Sequence, residues 1–108
     1  MRSSRKFYIQ FQPDLVGDLD LAEWDAALSS ELVDFSVSSG DEKGVYINYD
    51  FVSENPKESW SWIEGLLVKN PSFRDSSIVC CEGSQGWDNY LLLSHFDKNE
   101  PLDEIKNH

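Results

Sequence analysis

The amino-acid sequence predicts an α+β fold, an antiparallel sheet with two helices on one of its faces. Three observations predict it. Lys6–Gln12 and Val45–Phe51 alternate apolar and polar residues with the two-residue period of a half-buried strand. Leu21, Trp24, Leu28 and Leu32, and again Trp60, Ile63 and Leu67, recur at helical spacing. Pro, Gly, Asn and Asp punctuate the chain between these stretches and give the order β-α-β-β-α-β-β.

In the first strand Phe7, Ile9 and Phe11 face one way and Tyr8, Gln10 and Gln12 the other, and Pro13 ends it. Asp20 is the expected N-cap of the first helix, with Glu23 three residues on in a capping-box-like pattern. Glu23 lies opposite the apolar stripe, and Asp20, Asp25 and Glu31 flank it. Asp34–Ser38 alternates through Phe35 and Val37, SSGDEKG reads as a turn, and Val45–Phe51 closes the hairpin. Asn55 suits the N-cap of the second helix and Pro56 its first position. Gly65 weakens that helix mildly, and Asn70–Pro71 stops it. Of Trp60 and Trp62, one belongs in the core and the other is partly exposed. Ser77–Glu82 and Asn89–Phe96 are two further strands joined by the loop GSQGWD. The unbroken apolar run Tyr90–Leu93 calls for burial on both faces or for a covered edge.

The first six elements match the split β-α-β pattern, the ferredoxin-like arrangement βαββαβ, and the last strand adds a C-terminal edge. Crossovers of this kind put both helices on one face. The opposite face carries Tyr8, Gln10, Gln12, Tyr46, Asn48 and Asp50, open to water or to a partner. Residues 1–108 form one domain, with 1–5 and 97–108 as loose ends. The adjacent Cys80 and Cys81 point to opposite faces, so they cannot staple distant segments. With no apolar run of signal-peptide or membrane-spanning length, the chain reads as cytoplasmic.

Twenty acidic and nine basic side chains leave a net charge of −11, and residues 7–42 contain no Lys or Arg. That field repels phosphate backbones and anionic membranes and steers a basic protein toward the chain. The chemistry-bearing constellations are weak. A Cys–His pair from His95 with Cys80 or Cys81 lacks any nucleophile turn. The same residues lack zinc-ligand spacing, and GSQGWD has no phosphate-loop lysine. Base stacking on Tyr8 and Tyr46, as in RNA-recognition modules, is opposed by the acidity. The expectation is a protein that is not an enzyme and that uses no metal and no cofactor.

The short acidic chain, its base-free segment, its exposed-aromatic candidates and its lack of catalytic signatures together resemble bacterial immunity proteins of contact-dependent inhibition and related polymorphic toxin systems. The resemblance implies inhibition of a cognate toxin, a nuclease by preference, through occlusion of its basic cleft. It would place carboxylates against Arg and Lys, around an aromatic anchor. Asp18, Asp20, Glu23 and Asp25 form the first candidate patch, and Tyr46, Asp50, Trp87 and Asp88 the second. Trp87 reads first as a loop anchor packed on the core and second as an interface anchor. Two other classes stay open: a nucleic-acid mimic that inhibits a host nuclease complex, and a small ligand-binding or enzymatic domain on the same scaffold. The partner expected is a basic protein, with the chain a monomer or a weak homodimer.

Overall fold

The computed structural model describes residues 4–16, 19, 21–31, 34–41, 45–83, 86–103 and 105. In chain order its elements are β1 (Arg5–Phe11), a 3-10 turn (Pro13–Leu15), α1 (Leu21–Glu31), β2 (Ser36–Gly40), β3 (Tyr46–Ser53), α2 (Pro56–Lys69), α3 (Pro71–Arg74), β4 (Ser77–Gly83) and β5 (Gly86–His95). The strands form one antiparallel sheet in the order β2-β3-β1-β4-β5. The fold is therefore α+β, with β1 at the centre of the sheet.

Period-two patterning decides which face of β1 is buried. Phe7, Ile9 and Phe11 lose all contact with solvent, while Lys6, Tyr8 and Gln10 between them stay half-buried. Phe7 stands opposite Phe51 in the register and stacks on it at 5.1 Å. Phe11 is the hub of a second aromatic cluster, with Trp24 at 4.9 Å, Phe73 at 5.8 Å and Tyr49 at 6.0 Å, all edge-on. Such offset contacts add to the burial of the rings themselves. Trp24 and Leu28 of α1 join Ile63 and Leu67 of α2 in this core, so both helices cover the same face of the sheet.

The structure departs from the sequence expectations in several places. A third helix, α3, follows Pro71: the proline that stops α2 also opens a new turn, because its fixed φ suits a first helical position. α3 delivers Phe73 to the core. β2 runs from Ser36 to Gly40, two residues later than expected; Phe35 packs on the core just before the strand, and Val37 is exposed within it. Asn55 precedes α2 as expected, but its amide donates to the Glu58 carboxylate (2.9 Å) instead of accepting a helix N–H. The tie between β3 and α2 is instead a buried Ser53–Ser59 hydroxyl pair at 2.6 Å. Trp60 and Trp62 are both half-buried against the core, with Trp62 stacked on Phe51, so partial exposure holds for both and neither is the fully buried one expected.

The ends are not simply loose. Arg5 is buried within β1, and its guanidinium donates to the Glu82 carbonyl. Asp103 pairs with β5: its N–H donates to Leu92 O (2.7 Å), and its carboxylate accepts the Leu92 N–H (2.9 Å). Ile105 packs against the core. The C-terminal segment thus pairs both backbone groups of Leu92, one residue of the apolar run of β5. The expected N-cap Asp20, the stripe residue Leu32 and the candidate Asp18 lie outside the described residues.

Candidate functional site

The sheet face away from the helices carries a groove of about 400 Å³ lined by Lys6, Tyr8, Asp50, Cys80, Trp87 and Tyr90. Its floor follows from register. Tyr8 on β1 stands opposite Asp50 on β3 and opposite Cys80 on β4, so the three side chains run across the sheet in one row. Lys6, two residues before Tyr8, leans to Asp50 and forms an ion pair at 2.9 Å.

The wall comes from a fault in the β4–β5 ladder. Cys81 pairs with Leu91 and Gly83 with Gly86, so β5 spends three more residues than β4 over the same interval. The stretch Trp87 to Tyr90, four residues opposite the single Glu82, bulges from the ladder, as an irregular strand does when it re-aims side chains. Trp87 arrives edge-on to Tyr8 at 6.5 Å. Two glycines allow this path. Gly86 sits at φ 78°, in the left-handed region where a Cβ is penalised. At Gly83 a Cβ would collide with the Asn89 carbonyl, which folds back over β4.

Carboxylates and burial both act on the titratable groups of the groove. The Asp50 carboxylate, by hydrogen bond and charge, raises the Lys6 pKa, and Glu82 adds to it from β4. Burial raises the Tyr8 hydroxyl pKa first, with further contributions from Tyr46, Asp50 and Cys80. Burial also raises the Cys80 thiol, helped by Asp103. A thiol pushed in that direction holds less thiolate at neutral pH and is a poor nucleophile. His95 pairs with Ile78 rather than facing Cys80, and its Nδ1 accepts the Asp97 N–H at 2.9 Å.

The sequence candidates separate into two groups on opposite sides of the molecule. Glu23 and Asp25 stand exposed on α1, in the helical layer. Asp25 also acts on the buried Tyr49, whose hydroxyl pKa is raised first by burial and then by that carboxylate. Asp50 and Trp87 meet in the groove on the other face. Tyr46 lies on that face, with its ring packed across Gly40 on β2. Asp88 is exposed beside Trp87 on the bulge. Trp87 therefore belongs to a strand irregularity and not to a loop, and it remains 43% exposed. Among the described residues, acidic side chains stand both in the helical layer, at Glu23 and Asp25, and on the sheet side, at Asp50 and Asp88.

The sequence reading missed Lys6, Cys80 and Tyr90 as members of the site. Period-two counting from Tyr8 already placed Lys6 and Asp50 on one face. The bulge that brings Tyr90 over had no signal beyond the glycine pair flanking Ser84 and Gln85. Among the described residues, no group of three or more His, Cys, Asp or Glu could hold a metal ion, and no helix is long and apolar enough to cross a membrane. Comparison with protein families, with curated proteins and with solved structures finds no match.

Proposed function

We propose that this chain is an acidic inhibitor that binds a basic protein through the open face of its sheet, in the manner of a bacterial immunity protein acting on a cognate nuclease toxin. One observation carries the reading: an aromatic-walled groove around a carboxylate, on the helix-free face of a chain with net charge −11. Exposed Trp and Tyr are the residue types that dominate binding energy at interfaces. The charge supplies long-range attraction to a cationic cleft, and the rings supply the desolvated centre of the contact. We also read the strand order β2-β3-β1-β4, with a helix between β1 and β2 and another between β3 and β4, as the ferredoxin-like arrangement with β5 added at the edge. The two free thiols suit a reducing compartment such as the cytoplasm.

The test is affinity capture from the source cell at low salt, identification of the retained protein, and assay of its activity with and without the chain. The reading expects a basic protein, released by high salt, whose nuclease activity falls to background at one chain per toxin. It expects Trp87→Ala to weaken that inhibition at least tenfold. A retained protein whose activity the chain leaves untouched, or inhibition unaffected by Trp87→Ala, overturns it.

A further inference from the structure

We propose that the groove is an arginine-anchor site: it takes one arginine side chain of a basic protein partner, with the guanidinium seated on Asp50 and stacked among Tyr8, Trp87 and Tyr90. This rests on the reading above and names the partner group that the open face recognises.

The argument begins with what already occupies the groove. Lys6 places an ammonium on Asp50 at 2.9 Å, so the floor is built to hold a cation. The pair is accessible, with the Lys6 side chain 43% exposed and that of Asp50 23%. Exposed ion pairs of this kind contribute little and exchange readily. An incoming cation therefore succeeds only by doing something at Asp50 that an ammonium does not.

Arginine does two such things. Its planar fork can bind both oxygens of a carboxylate, where lysine offers a point charge. Its flat, weakly hydrated face stacks on aromatic rings. The groove offers both partners together. Lys6 contacts Asp50 through Oδ2, and three rings line the same groove. Trp87 and Tyr90 are 43% and 54% exposed, so they have ring surface left to cover. The surroundings favour a cation as well: Asp50 and Glu82 act on Lys6, Asp50 on Tyr8, and Asp103 on Cys80, each in the direction of negative potential. A second copy of this chain is a poor occupant, since two bodies of charge −11 repel.

The experiment titrates the chain with N-acetyl-L-arginine amide and, separately, N-acetyl-L-lysine amide. The readout is the indole N–H resonance of Trp87, identified by its loss in Trp87→Phe. The expected result is saturable movement with the arginine probe and at least fivefold weaker binding of the lysine probe. Asp50→Asn should weaken the arginine response about tenfold. Lys6→Met, which removes the resident cation and leaves Asp50, should strengthen it. Equal response to both probes, or no saturable movement in either the native chain or Lys6→Met, overturns the proposal, as does an undiminished response in Asp50→Asn. If the nuclease is inhibited and Trp87→Ala weakens that inhibition while the indole stays silent to the arginine probe, the arginine site falls and the inhibitor reading survives. If Trp87 responds and no basic protein is inhibited, the inhibitor reading falls and the arginine site stands.

Discussion

The same substitution, glycine to alanine, should move this protein's stability in opposite directions at two positions. Gly65 lies in the interior of α2, and a Cβ there would have nothing within 4 Å. Only helix propensity and unfolded-chain entropy act, and both favour alanine, by about 0.5–1 kcal/mol. At Gly83 the added Cβ would run into backbone, the Asn89 carbonyl, which has no rotamer by which to retreat. Forced overpacking of this kind costs roughly 1–3 kcal/mol. Unfolding entropy near 2.1 cal/mol/K per residue, over 108 residues, makes 1 kcal/mol worth about 4 °C in Tm. Gly65→Ala should thus melt roughly 2–4 °C above the native chain, and Gly83→Ala roughly 4–13 °C below it, by calorimetry or by circular dichroism. Gly83→Ala should also shift the Trp87 indole resonance, because the carbonyl that must move belongs to the bulge carrying Trp87. A Gly65→Ala chain that melts lower, or two variants that move together, would refute the reasoning.

Stability should fall in alkali. Burial, and then the bond to Asp25, raise the Tyr49 pKa above its ordinary value of 10.0, and burial pushes Cys81 from 9.0 up to about 12. An acid whose folded pKa is raised contributes fully below its unfolded pKa and loses that contribution as pH rises through the folded one. Urea melts should therefore weaken from about pH 9 through Cys81 and from about pH 10 through Tyr49. Cys81→Ala should flatten the first part of that slope and Tyr49→Phe the second; unchanged slopes would remove these groups as the cause. Ending the chain at Pro101 should increase self-association in size-exclusion chromatography, because it uncovers the Leu92 backbone that Asp103 now pairs. Lys6→Met should change Tm by less than about 4 °C, since an exposed ion pair contributes roughly 0–1 kcal/mol; a larger loss would mark the pair as structural.

What could be read from the sequence was set by period and punctuation. Phe7, Ile9 and Phe11 alternate, so the buried face of β1 was legible; Trp24, Leu28, Ile63 and Leu67 sit at helical spacing, so the covering layer was legible too. α3 was not, because Asn70–Pro71 carries the signal for stopping one helix and for starting another. The path of β5 was hidden for a different reason. A bulge preserves the count of apolar residues and changes which of them face which way, and only the register with β4 shows that Trp87 to Tyr90 are the surplus. The groove shared that fate. Asp50 and Trp87 were named from residue type, but the contact between Trp87 and Tyr8 depends on a ladder fault 79 residues away from Tyr8 in sequence.

That geometry changes what the charge can be asked to explain. Exposed acids stand on α1, on α2 and on the sheet side alike, so a cationic partner is attracted to the molecule without being told where to land. An address needs a feature that marks one place on that surface. The α1 pair does not provide it: Glu23 and Asp25 are two exposed carboxylates on one helix, and neither lines the groove. The groove does provide it, because it combines concavity, three rings from two strands and a carboxylate already holding an ammonium. If encounter and address are separate in this way, they separate in kinetics too. Removing surface acids on α1, as in Glu23→Gln, should lower the association rate and its salt dependence while leaving dissociation unchanged; Trp87→Ala should raise the dissociation rate and leave association nearly as it was. A Glu23→Gln chain that dissociates faster from the captured partner would put the contact on the helical layer, and the groove would then lose its claim to be the docking point.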